Sequence, residues 1–123
     1  MIAVLFEVEP AAGRREAYLA QAAALLPRLR AIDGFLSIER FASLSDPGKI
    51  LSLSFFRDES AVTEWRNDEA HRRSQELGRA GLFANYRLRV AEVRRDYGLS
   101  ERAQVPADST AVHGSGSGPA TSG

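Results

Sequence analysis

The sequence predicts an α+β domain built in the order β-α-β-β-α-β. Three observations carry this reading. Apolar residues recur at period two in four stretches, the signature of strands, and at helical spacing in the segments between them. Clusters of Asp, Gly, Pro and Ser separate these stretches at turn-like intervals. The chain has 123 residues, 44% hydrophobic and 26% charged, a globular balance for one domain.

Ile2 to Glu9 opens the series. Ile2, Val4, Phe6 and Val8 share one face, with Ala3, Leu5, Glu7 and Glu9 on the other. Pro10 ends this strand. Gly13 to Ile32 then shifts to helical spacing, with Tyr18, Ala22, Leu25, Leu26, Leu29 and Ile32 in one stripe opposed by Arg14, Arg15, Glu16, Gln21 and Arg28. Pro27 should kink this helix or start a separate final turn. Asp33-Gly34 closes it. Phe35–Phe41 and Lys49–Arg57 read as an antiparallel hairpin around Ser45-Asp46-Pro47-Gly48. Asp58 is a helix N-cap for a short helix bearing Ala61, Val62 and Trp65, and Asn67 or Asp68 caps a second one to about Leu77. Asn85 to Tyr97 is the last strand.

This order is the ferredoxin-like split βαβ arrangement, a four-stranded antiparallel sheet with helices on one face. The opposite face should meet water, and a solvated face alternates cleanly between apolar and polar residues. Here it does not. Leu51, Leu53 and Phe55 occupy one face of the third strand, and Ile50 and Phe56 the other, with Ser52 and Ser54 between them. A second copy of the sheet is the simplest cover, so a homodimer is expected.

Composition excludes several functions. Acidic and basic residues number 16 each, so no net field draws the chain to nucleic acid or an anionic membrane. There is no cysteine, hence no disulfide, thiolate metal site or thiol nucleophile. His71 and His113 are the only histidines, too few for a zinc site built by the protein. Lys49, the sole lysine, leaves few Schiff-base options. No stretch is long enough to span a bilayer. The first residues carry no basic region and enter a strand directly, which predicts no signal peptide and a cytoplasmic protein. The folded domain is expected over 1–98, a polar extension over 99–113, and a flexible Gly/Ser-rich tail over 114–123.

One constellation carries chemistry: Trp65, Arg66, Asn67, His71, Arg72, Gln75 and Arg79, just before the last strand. Helices there can stand off the sheet and leave a cleft for a planar ligand. His71, with an ordinary pKa near neutrality, suits an acid or base. Each residue also has a structural reading: Trp65 as core, His71 as a hydrogen-bonded surface residue, the charges as a solvated helix face.

The run Gly34-Phe35-Leu36-Ser37-Ile38-Glu39-Arg40-Phe41 is one of several linked motifs. Leu51-Ser52-Leu53-Ser54-Phe55-Phe56-Arg57-Asp58 follows, then Trp65-Arg66-Asn67 with His71. Tyr86-Arg87-Leu88-Arg89-Val90-Ala91-Glu92-Val93 with Arg95-Asp96-Tyr97 completes the set. Together these resemble the antibiotic biosynthesis monooxygenase (ABM) domain family over residues 1 to about 98. The resemblance implies a dimeric α+β barrel. It also implies oxidation of a small aromatic, quinol or polyketide-like ligand by O2, with no metal or flavin cofactor. In that reading Trp65 is a pocket wall, His71 the base, and Arg66, Gln75, Tyr86 and Arg89 bind substrate. Haem degradation is the alternative that the family also contains. It requires an asparagine on the first strand, where this chain has Phe6 and Glu7, and a histidine near the position of Gln75. A non-catalytic small-ligand-binding or stress-response dimer is the third reading.

Overall fold

The computed structural model describes residues 1–68, 72, 73, 76 and 81–108. The predicted Gly/Ser tail lies outside these residues, as does most of the second short helix expected up to Leu77. Among the described residues the order is β1 (Ile2–Pro10), α1 (Arg15–Arg30), β2 (Phe35–Ala42), β3 (Ile50–Phe56), α2 (Glu59–Arg66) and β4 (Phe83–Glu92). The sheet runs β2-β3-β1-β4, every neighbouring pair antiparallel. This is the ferredoxin-like α+β fold that the sequence predicts.

Register assigns the faces. Ile2, Val4, Phe6 and Val8 of β1 lie opposite Phe56, Ser54, Ser52 and Ile50 of β3, and opposite Glu92, Val90, Leu88 and Tyr86 of β4. This is the side on which the helices pack. One core cluster joins Ile2 and Phe56 to Leu29 of α1 and to Ala61 and Val62 of α2, with Val4, Ile32, Phe35, Ile38 and Trp65 packed around it. A second joins Val8 and Ile50 to Tyr18 of α1, with Phe6, Leu82 and Phe83 at its margin. The apolar stripe of α1 therefore works as read: Tyr18, Ala22 and Leu29 are its buried residues.

Several boundaries differ from expectation. Helix α1 begins at Arg15 and runs as one helix through Pro27 to Arg30. Pro27 faces solvent and still accepts a bond from the Ala31 amide at 3.2 Å. Only the bond that proline cannot donate is lost, so no separate turn forms. Strand β4 starts at Phe83 and stops at Glu92, well short of Tyr97, because its pairing with β1 ends at Ile2–Glu92.

Two local devices hold the helices to the sheet. Asp58 is the cap expected for α2, its carboxylate accepting the Ala61 amide at 3.0 Å. The Ala61 hydrogen bond and the adjacent Arg57 guanidinium hold its carboxyl below the usual range. Gly34, between α1 and β2, has φ +94°, and a Cβ there would lie 2.9 Å from the Ala61 Cβ. Glycine thus allows both the turn and the approach of α2. Arg57 pairs with Asp33 and Asp58 at 3.3 and 3.2 Å on the surface nearby.

Met1–Glu92 forms one unit and the described residues from Val93 onward another. In the latter, Gln104 accepts the Asp96 amide at 2.8 Å, the Arg102 guanidinium donates to the Gly98 carbonyl at 3.2 Å, and it lies 5.8 Å from the Tyr97 ring centre.

Candidate functional site

The side of the sheet that carries the helices is covered unevenly. Over β1 and β3 it is closed. On β4 it is open: Tyr86, Leu88 and Val90 alternate along that side and remain 51%, 51% and 48% exposed. An edge strand with an uncovered apolar row offers a surface on which an apolar ligand can lie.

Aromatic rings line the margin of this surface. Phe6 contacts Phe83 and Tyr86, each at 5.7 Å between centres. Phe83 meets Tyr18 at 5.7 Å and Tyr86 at 6.1 Å, both edge-on, the geometry that ring quadrupoles favour. Phe6 and Tyr18 anchor the group on β1 and α1, so Tyr86 is braced from below while its outer surface stays open. Burial pushes the Tyr18 phenol above its ordinary pKa, an effect that the nearby Arg40 guanidinium partly offsets.

Sequence reasoning placed six residues in the site, and the structure distributes them. Trp65 is half-buried on α2 and packs against the first core cluster, on the same side of the sheet as Tyr86. Val4 belongs to that cluster and Phe6 to the next, so the Trp65 and Tyr86 neighbourhoods adjoin along β1. Arg66 ends α2 and is exposed, donating to the Thr63 hydroxyl at 3.4 Å. Arg89 departs from the expectation. It lies opposite Leu5, on the face away from the helices, and pairs there with Glu7 at 3.4 Å. An odd spacing from Tyr86 along a strand forces this separation. His71 and Gln75 lie outside the described residues.

The segment after α2 is tied down at its start. Arg28 of α1 makes a two-pronged contact with Asp68, at 3.2 and 3.4 Å, and Arg72 donates to the Asn67 side chain and to the Arg66 carbonyl. These bonds hold Asn67 and Asp68 just after α2.

The sequence reading missed a polar row beneath α1. Arg40 of β2 lies opposite Ser52 of β3, which lies opposite Phe6. Ser52 and Ser54 are 8% and 7% exposed, and the Arg40 Nε is buried without a hydrogen-bond partner. The signal was present in the two serines that interrupt an apolar strand. Only the register shows that Arg40 joins them. A separate open depression of about 290 Å3 at the Ile2–Glu92 end of the sheet is ringed by charged groups, among them Arg57, Asp58 and Glu59, and includes none of the six residues. Among the described residues no group of three or more His, Cys, Asp or Glu side chains could hold a metal ion, and no helix is long and apolar enough to cross a membrane.

Comparison with known proteins agrees with this architecture. The chain resembles Rv0793 of Mycobacterium tuberculosis with a TM-score of 0.69 at 21% identity, covering 77% of this chain and 96% of that one. It resembles PA3566 of Pseudomonas aeruginosa with a TM-score of 0.65 at 22% identity, covering 75% and 92%. In sequence it is 47% identical over 105 residues to a protein of Pyricularia oryzae named jasmonate monooxygenase ABM, an alignment covering 85% of this chain and 49% of that relative. The chain therefore spans about half the length of that relative. The family model described as antibiotic biosynthesis monooxygenase matches residues 1–77, from β1 through Trp65 and His71. With the fold, the family model and this relative in agreement, the chain belongs to the antibiotic biosynthesis monooxygenase family.

Proposed function

We propose that this chain is a monooxygenase domain that oxidises a small aromatic, quinol or polyketide-like molecule with O2 and needs no resident metal or organic cofactor. The observation that carries this reading is the aromatic wall of Phe6, Phe83 and Tyr86 continuing into the open apolar row of β4. Membership of the family and the monooxygenase name of the relative from Pyricularia oryzae agree with it.

Chemistry of this kind asks little of the protein beyond placement. The substrate is itself the reductant. Loss of a proton from an activated CH2 beside an aromatic carbonyl gives a carbanion whose electrons pass to O2. One oxygen atom ends as the new carbonyl and the other leaves as water, so CH2 plus O2 gives C=O plus H2O. His71 takes the first proton in this scheme. The aromatic wall holds the ring and excludes water, and the Tyr86 hydroxyl donates to the developing oxyanion. Trp65 supports the pocket from α2. The working unit is a homodimer, with Leu5, Leu51, Leu53 and Phe55 covered by the same face of a second copy. An interface of that kind buries about 2,000 Å2 or more.

The test is oxygen consumption and quinone formation from anthrone in air. Wild-type protein should turn the substrate over after metal chelation. His71→Ala should fold normally and lose roughly 100-fold or more of the rate, the scale of a positioned base. Trp65→Phe should alter the rate modestly. Turnover that appears only after haemin is added would move the assignment to haem chemistry. Ligand binding with no turnover of any aromatic substrate would move it to a non-catalytic binding domain.

A further inference from the structure

The helix side of the sheet holds a guanidinium that no carboxylate among the described residues answers. Arg40 is half-buried between β2 and α1, and its Nε is fully enclosed with no hydrogen-bond partner. Among the described residues it makes no ion pair. The acids nearest along the strands point away: Glu39 lies opposite Leu53 and Glu7 opposite Leu51, both on the far face. Tyr18, its neighbour on α1, accepts a hydrogen bond from the Arg40 guanidinium, but burial holds its proton more firmly than usual, so it brings no counter-charge. Ser52 and Ser54, two residues apart on the same side, are buried there.

A partly buried guanidinium without a counterion costs stability, and an apolar side chain of similar size would serve the packing better. A water molecule could accept from Nε, but it would leave the charge unanswered. Such an exception to core composition is expected where a site binds something. The row Arg40–Ser52–Phe6–Leu88 runs across the sheet from β2 to β4, with its polar end under α1 and its apolar end in the open wall. We propose that Arg40 and Ser52 bind an anionic oxygen, a carboxylate or an ionised phenol, on a ligand whose apolar body lies along Phe6 toward β4. This rests on the preceding section only for the side of the sheet that the ligand occupies, and not on turnover.

The test uses binding, read by quenching of Trp65, the sole tryptophan, and by calorimetry. The probes are 2-naphthoate, its methyl ester, and an acidic nitronaphthol that is ionised at neutral pH. Wild-type protein should bind at least one of the two anions roughly 10- to 100-fold more tightly than the ester, the scale of hydrogen bonds to a charged group. Preference for naphthoate identifies the carboxylate, and preference for the nitronaphtholate identifies the phenolate. Arg40→Met should abolish the preference, leave ester binding within about twofold, and melt no lower than wild type, since it removes an unanswered charge. Should that variant fail to fold, Ser52→Ala is expected to weaken the anion and spare the ester. Equal binding of anions and ester by wild type overturns the proposal, as does a preference that survives in Arg40→Met or no binding of any probe. Anthrone turnover without anion preference would overturn this inference alone. Anion preference without turnover would overturn the monooxygenase reading alone.

Discussion

The two faces of one sheet reverse the usual distribution of residues. Under the helices, β3 buries Ile50, Ser52, Ser54 and Phe56. On the opposite face the same strand leaves Leu51, Leu53 and Phe55 only half-buried. Two serines are thus more enclosed than two leucines and a phenylalanine. Composition alone would have assigned the faces the other way. The difference teaches that the faces differ in cover: the helices close one over β1 and β3, and the other keeps the apolar row on which the proposed dimer rests.

Four substitutions sharpen the contrast. The largest effect is expected from Phe56→Ala on the helix face. Phe56 is 1% exposed and meets Phe35 edge-on at 5.8 Å, so its loss should cost about 3–5 kcal/mol in urea unfolding. Dimerisation should persist wherever the variant is folded, because the open face is untouched. Leu53→Arg comes next. It should leave the helix face intact, with unchanged far-ultraviolet circular dichroism, and weaken the dimer by about 3 kcal/mol, roughly 100-fold in dissociation constant. Sedimentation mass against concentration reads this directly, and a wild-type mass of one chain at micromolar concentration would remove the open face as an interface.

Gly34→Ala should cost about 1–3 kcal/mol, because its φ of +94° disfavours any side chain and the new methyl would press on Ala61. Thermal melts of this variant report on the docking of α2 and leave the dimer constant unmoved. The smallest effect is expected from Asp58→Ala. The Asp58 carboxyl is held below its unfolded value, so the stability it contributes is present above the unfolded carboxylate range and fades as pH falls through the lower, folded value. The variant should therefore melt below wild type at pH 7, and the two should converge as pH drops below about 4. A gap that stays constant down to pH 2 would show that the cap acts without its charge.

Much of this was legible because it is local. Period-two alternation in Ile2–Val8, the α1 stripe of Tyr18, Ala22 and Leu29, the Asp58 cap and the hairpin around Asp46 each depend on residues within a few positions of one another. The positions of Trp65 on α2 and Tyr86 on β4 were likewise legible. Pro27 and the end of β4 were not. Whether a helix carries on through a proline depends on what the surrounding turns pack against, and a strand ends where its partner does.

Other features belong to tertiary structure alone. Alternation separates two faces but does not say which one the helices will cover. The pairing of β1 with both β3 and β4 decides that. The same pairing sends Arg89 to Glu7 on the far face and brings Arg40 and Ser52, twelve positions apart in the chain, into one row with Phe6. Residues this distant meet only after register is fixed, and register is set by the sum of side-chain fits along whole strands rather than by any one of them.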